Sequence, residues 1–134
     1  ADGSRVGANG VKIGLFCSTP MAAPSRNIPR KHAFEMLTTG EFMSAHAARD
    51  AGLLNRVVAP EELGAASQDL AQKIAAKLGS AVKIGKEAYY RQLEMPLADA
   101  YRYTGEVMVE NMAKSDTAEG VQAFLEKRPP DWDQ

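Results

Sequence analysis

The sequence predicts an α/β chain in which the strands are few and early and helices take up the rest. Three features predict this. Before about residue 28 glycines and short apolar runs dominate, and beyond it apolar residues recur at helical spacing. The helical runs are bracketed by start and stop residues, with Ser, Thr or Pro ahead and Gly or Pro behind. Two short segments, residues 11–13 and 53–58, carry β-branched residues beside a glycine and read as strands.

Taken in order, VKI at 11–13 lies between Gly10 and Gly14 as a strand end. Residues 19–27 suit a short helix with Thr19 as N-cap and Pro20 at its first position. Residues 30–38 put Ala33, Phe34, Met36 and Leu37 on one stripe, and Gly40 stops the helix. Ser44 caps AHAARDA, which ends at Gly52, and LLNRVV at 53–58 follows as a strand. Pro60-Glu61-Glu62 opens a longer helix with acids matched to its dipole, and Leu63, Leu70, Ile74 and Leu78 form its expected buried stripe. Gly79 ends that helix, and Ser80 caps a next one with Val82, Tyr89 and Leu93 on one side.

Pro96 opens another helix to about Lys114, with Leu97, Ala100, Tyr101, Thr104, Met108 and Met112 along one face. Ser115 or Asp116 caps a last one, with Val121, Phe124 and Leu125 facing inward and Pro129-Pro130 ending it. The expected tally is one or two short strands and about seven helices. A three-residue strand cannot make a sheet alone. The expectation is therefore that β-rich sequence precedes Ala1 and that the chain, which begins ADGSR without an initiator Met, is a piece of a longer protein.

Composition narrows the function classes. A length of 134 residues suits one domain with a core. The net charge of −1 and pI near 6.2 argue against nucleic acid as a partner. Charge is uneven: no acid lies between Asp2 and Glu35, so residues 1–34 carry five bases against one acid, net +4, leaving −5 for the remainder. That basic stretch could attract phosphate, but a solvated loop is the simpler reading. The single cysteine, Cys17, forms no internal disulfide, which suits a reducing compartment. The sequence has no run of about 18 apolar residues, so no membrane insertion is expected.

Motifs for chemistry are sparse. His32 and His46 lack metal-site spacing and read as structural or surface residues. Cys17 has no nearby histidine and reads as a small hydrophobe. Ser18, Ser25 and Ser44 lack a GxSxG context, and GANG lacks the GK[ST] of a phosphate loop. The six methionines suit core filling, although a flexible thioether also suits an acyl pocket. From the residues alone there is no complete catalytic constellation.

Two longer segments are more specific. RNIPRKHAFEMLTTGEFMSAHAARDAGLLNRVV at 26–58 and EGVQAFLEKRPPDW at 119–132, with the preceding GVKIGL, resemble the enoyl-CoA hydratase/isomerase (crotonase) family across essentially the whole chain. ANGVKIGLFCSTP resembles that family's enoyl-CoA hydratase domain-containing subgroup. The resemblance implies an α/β crotonase-like fold, here its C-terminal portion. Residues 1–58 would be the end of the ββα spiral core, and residues 59–134 a helical oligomerisation region. The N-terminal half of the family fold would lie upstream.

The resemblance also implies a chemistry: stabilisation of the enolate oxygen of an acyl-CoA thioester by two backbone N–H groups, both upstream of Ala1. No separate cofactor is implied, since coenzyme A is part of the thioester substrate. The second hydratase glutamate is expected just before VKIG, where this chain has Gly10, so no catalytic residue is assigned. Glycine cannot hold or activate water, which counts against two-glutamate hydration. Leu15, Phe16, Cys17 and Met21 are expected to line an acyl pocket, or simply to pack the core. Lys127 is expected to reach the adenine end of CoA, often from a neighbouring subunit, and Arg128 beside it could contact phosphate. Expected partners are an acyl-CoA thioester and further copies in a homo-trimer or hexamer; the expected location is cytoplasmic or the mitochondrial matrix. The alternatives are a non-catalytic module of the same fold, binding acyl-CoA or only oligomerising, and an independent helical interaction domain.

Overall fold

The structure is a computed structural model that describes residues 1–132. It divides into two compact units, residues 1–68 and 69–134. The division falls inside a helix, ten residues past the 58/59 boundary read from sequence.

In the first unit, strand β1 (Arg5–Val6) pairs antiparallel with β2 (Met43–Ser44), Arg5 opposite Ser44 and Val6 opposite Met43. Helix α3 (Ala45–Asp50) packs on this ladder, while α1 (Pro24–Asn27) packs on α2 (Arg30–Thr39). The core is Ile28, Ala33, Met36, Leu37, Ala45 and Ala48. Helix α2 stops where the sequence places its stop. Gly40 has φ 66°, a left-handed conformation that side chains disfavour, and its N–H bonds the Met36 carbonyl at 3.0 Å. Ser44 caps α3 as expected, its Oγ accepting the Ala47 N–H at 3.1 Å.

Several expectations fail in this unit. Residues 11–13 are not a strand. They belong to a 3₁₀ turn, Gly10–Ile13, whose hydrogen bonds close locally: Lys12 N–H to Asn9, Gly14 N–H to Val11 and Leu15 N–H to Gly10. A turn that satisfies itself needs no sheet partner, so the argument from an orphan strand to upstream β-structure falls. Residues 53–58 are irregular too, with Val58 tied to Asp2 N–H at 2.8 Å rather than to a ladder. The helix expected at 19–27 is split into a 3₁₀ turn (Pro20–Ala22) and α1 because Pro24 has no N–H to continue it. Thr19 makes no side-chain cap bond, and Phe34 is exposed rather than on the buried stripe of α2.

The Pro60 start forms a 3₁₀ turn (Pro60–Glu62) leading into α4 (Leu63–Ala75). The Glu62 carboxylate accepts the Ala59 N–H at 3.3 Å, one half of a capping box, since Ala59 has no side-chain acceptor to supply the other half. Leu63, Leu70 and Ile74 are exposed, so of the stripe expected here Leu78 alone is buried.

The second unit holds α5 (Gly79–Gln92), α6 (Leu97–Met112) and α7 (Ser115–Glu126). The short 93–96 link folds α6 back against α5, and α7 packs on α6. Its core is small: Leu78, Ala88, Ala100 and Ala123. Helix α4 ends at Ala75, so Gly79 begins a helix instead of ending one, and Ser80 lies inside α5 without capping it. Neither Ser115 nor Asp116 caps α7, whose N-cap position is Lys114. Val82, Tyr89, Leu93, Leu97, Tyr101, Met108, Met112, Val121, Phe124 and Leu125, all expected on buried faces, are exposed. Periodicity gave the helices and their apolar sides, but these sides find no cover among the described residues.

Candidate functional site

The glycine-rich turn is built by close approach. Gly10 N–H donates to Cys17 Sγ at 3.3 Å, and the Gly10 carbonyl accepts Leu15 N–H at 3.0 Å. A Cβ at residue 10 would lie 2.7 Å from both Cys17 Sγ and the Leu15 carbonyl oxygen, closer than real Cβ contacts. One of these neighbours is backbone and cannot swing away. The turn therefore closes because residue 10 has no side chain, and a glutamate there would force residues 15–17 outward.

The turn is braced against the end of α2. Lys12 Nζ lies 2.8 Å from Glu41 Oε1, and this hydrogen bond holds the Glu41 carboxyl below its ordinary value. Gly40 also sits tight here, since a Cβ on it would meet the Val11 and Lys12 side chains at 3.0 Å.

Of the residues expected to line an acyl pocket, Leu15, Phe16 and Met21 are exposed at 64%, 45% and 39%. Ile13, the last residue of the turn, is exposed as well, at 77%. Within this chain none of Leu15, Phe16 and Met21 is buried. Cys17 is half-buried, its sulfur occupied by the Gly10 N–H.

A cleft of about 330 Å³ opens in the same unit, lined by His32, Glu35, Thr39, Glu41, Phe42 and Met43 among others. Sequence reasoning left His32 as a structural or surface residue, and it is exposed on α2. Its spacing of three from Glu35 on one helix was the available signal, because i and i+3 share a helix face. His46 lies 3.2 Å from Asp2 and outside this lining. Among the described residues no cluster of His, Cys, Asp and Glu could hold a metal.

In the second unit, Lys127 is the one non-glycine residue with positive φ, 54°, among the described residues. It forms the left-handed position of a Schellman cap on α7: Lys127 N–H bonds the Phe124 carbonyl at 3.2 Å and Arg128 N–H the Ala123 carbonyl at 3.1 Å. A residue with a Cβ costs about 1–2 kcal/mol in this conformation.

Arg128, offered by the sequence as a phosphate contact, is engaged by carboxylates. Its NH1 and NH2 meet Glu119 at 2.7 and 3.0 Å, its Nε meets Glu126 at 2.6 Å, and NH1 also reaches the Pro129 carbonyl. Glu119 further accepts the Asp131 N–H at 2.9 Å. The Arg128 hydrogen bonds, then that backbone donor, bring the Glu119 carboxyl down to about 2. Gln122, and after it Arg128, holds Glu126 low as well, and the two acids raise Arg128.

A model of the enoyl-CoA hydratase/isomerase family matches residues 1–134. The chain belongs to that family. It is 48% identical over 132 residues to the mitochondrial enoyl-CoA hydratase domain-containing protein 3 of Xenopus laevis, covering 98% of this chain and 45% of that protein. Among solved structures it is similar to an enoyl-CoA hydratase of Mycobacterium smegmatis, with a TM-score of 0.94 and 50% identity over 97% of this chain and 51% of that one. Human enoyl-CoA hydratase domain-containing protein 3 gives a TM-score of 0.94 at 46% identity, covering 98% and 52%. The fold is the crotonase fold of these enzymes, and the mainly helical make-up accords with its C-terminal portion. The chain spans about half the length of the relatives it matches.

Proposed function

We propose that this chain is the C-terminal portion of a crotonase-family protein that acts on acyl-CoA thioesters, and that its reaction is not water addition by two glutamates. The observation that carries the second statement is the turn at Gly10, where a Cβ would sit 2.7 Å from Cys17 Sγ and the Leu15 carbonyl. The absent carboxylate is not a vacancy awaiting a neighbour, because the space is taken. What remains is the family's common step, stabilisation of a thioester enolate oxygen by two N–H donors in the upstream half.

The acyl chain lies against Leu15, Phe16, Cys17 and Met21, three of which are exposed apolar residues that suit an apolar tail once the rest of the protein closes over them. Lys127 carries a positive charge at an exposed turn and reaches the adenine end of CoA. No cofactor beyond the substrate's own coenzyme A is required. The mitochondrial names of the relatives support a mitochondrial location. Self-association into a trimer or hexamer accords with the uncovered apolar faces of α5 to α7.

A second reading has a specific observation in its favour. The same Gly10 packing suits a protein that binds acyl-CoA, or only assembles, without turning it over. Calorimetric titration of acetoacetyl-CoA into the purified chain tests the ligand. Micromolar binding supports an acyl-CoA surface in these residues, and its absence removes it. Hydration of crotonyl-CoA by the protein containing this chain tests the reaction. No hydration is expected, and turnover at ordinary hydratase rates would overturn the reading of Gly10.

A further inference from the structure

We infer that Arg128 and Glu119 are positioning residues for Lys127: they strap the tail back onto α7 and hold the lysine in its left-handed turn. This deepens the acyl-CoA reading and rests on it. The case begins with a conflict. Lys127 occupies a backbone region that glycine favours, at a position where helices commonly end in glycine. A lysine stays there when the surroundings fix both sides of it.

The surroundings do so with four sets of contacts. The Schellman bonds tie residues 127 and 128 to the last turn of α7. The Arg128 guanidinium uses all three nitrogens, two on Glu119, nine residues back along the helix, and one on Glu126. Asp131 N–H returns to the same Glu119 carboxylate. The Trp132 ring then lies against Gly120, where an added Cβ would meet it at 3.0 Å. Residues 127–132 thus run back along α7, with Pro129-Pro130 stiffening the return.

Charge divides between two adjacent residues as a result. Arg128 is neutralised by two carboxylates and has little left to offer an anion. Among the described residues Lys127 makes no ion pair, so its ammonium is the group presented. The adjacent cations have different tasks: one folds the turn and the other meets the ligand.

The test is a thermodynamic cycle on the whole protein containing this chain, with coenzyme A as the probe. Lys127→Gly removes the charge while keeping a residue that accepts the turn, and is expected to weaken binding about two- to five-fold, the range of an exposed ion pair. Arg128→Gln is expected to weaken it by a similar factor, and to do nothing further in the Lys127→Gly background, because it acts through the lysine. Further weakening in that background would mean Arg128 touches the ligand itself, and would overturn the inference.

Nuclear magnetic resonance couplings and shifts of residue 127 give a readout without ligand. The positive-φ signature should be present in the wild type and lost in Arg128→Gln. Its retention would also overturn the inference. If the wild type does not bind coenzyme A, or Lys127→Gly binds as the wild type does, the ligand reading of Lys127 fails and the positioning role falls with it. The backbone signature then reports separately whether the strap holds the turn.

Discussion

The two units bury different things. Residues 1–68 have short elements and many turns, yet they bury Ile28, Met36 and Leu37. Residues 69–134 have the longest and most regular helices, yet apart from Leu78 their buried residues are alanines, while Phe124, Leu97, Tyr101 and Met112 stand exposed. The hydrogen bonds of a helix close within the helix, whereas burial needs a second surface. A region can therefore be regular without having a core of large side chains, and an irregular one can be well packed.

The contrast is sharpest in truncations. Met36→Ala should cost about 2–5 kcal/mol, the usual range for emptying a buried site of this size. Phe124→Ala, at a residue 81% exposed, should stay within about 0.5 kcal/mol in the monomer. Urea unfolding of both variants at low concentration reads the difference. A large, concentration-dependent cost for Phe124→Ala would show that the α7 face is covered in solution by another copy.

A smaller effect is expected where the first unit is tightest. Gly10→Glu should destabilise by about 1–3 kcal/mol through overpacking, and should make Cys17 more reactive as residues 15–17 move out. Thermal melts and thiol titration check this; an unchanged melting point would mean that the turn opens freely. Next comes Ser44→Ala, which removes the α3 cap and should cost about 1 kcal/mol, measurable by the same melts.

In the second unit the smallest effect is electrostatic. The lowered carboxyl of Glu119 contributes stability above its ordinary value of 4.5, and this is lost as pH falls towards about 2. Its carboxyl resonance should therefore titrate near pH 2, and in Arg128→Gln the midpoint should move up towards 4.5. A wild-type midpoint near 4.5 would mean that the strap is open in solution.

The family was legible from sequence because its marks are local. TTGE stops α2 at Gly40, Ser44 caps α3, and EKRPP ends α7, each through contacts within a few residues. That residue 10 is a glycine was legible too, but what a side chain there would meet was not. That Cys17 and the Leu15 carbonyl occupy the space appears only once the turn is folded. The cleft beside His32 and Glu35 needed α2 and β2 brought together, and the engagement of Arg128 needed the tail turned back on Glu119.

By itself the sequence determined where most helices lie, how several of them stop, and that no acid stands at residue 10. These follow from backbone hydrogen bonding and side-chain shape over one or two turns. The tertiary structure decided which apolar faces are buried, that residues 11–13 close a turn rather than extend a strand, and that Arg128 pairs with Glu119 and Glu126 while Lys127 makes no ion pair among the described residues. Those outcomes depend on which surfaces meet across long stretches of chain, and periodicity carries no information about the partner.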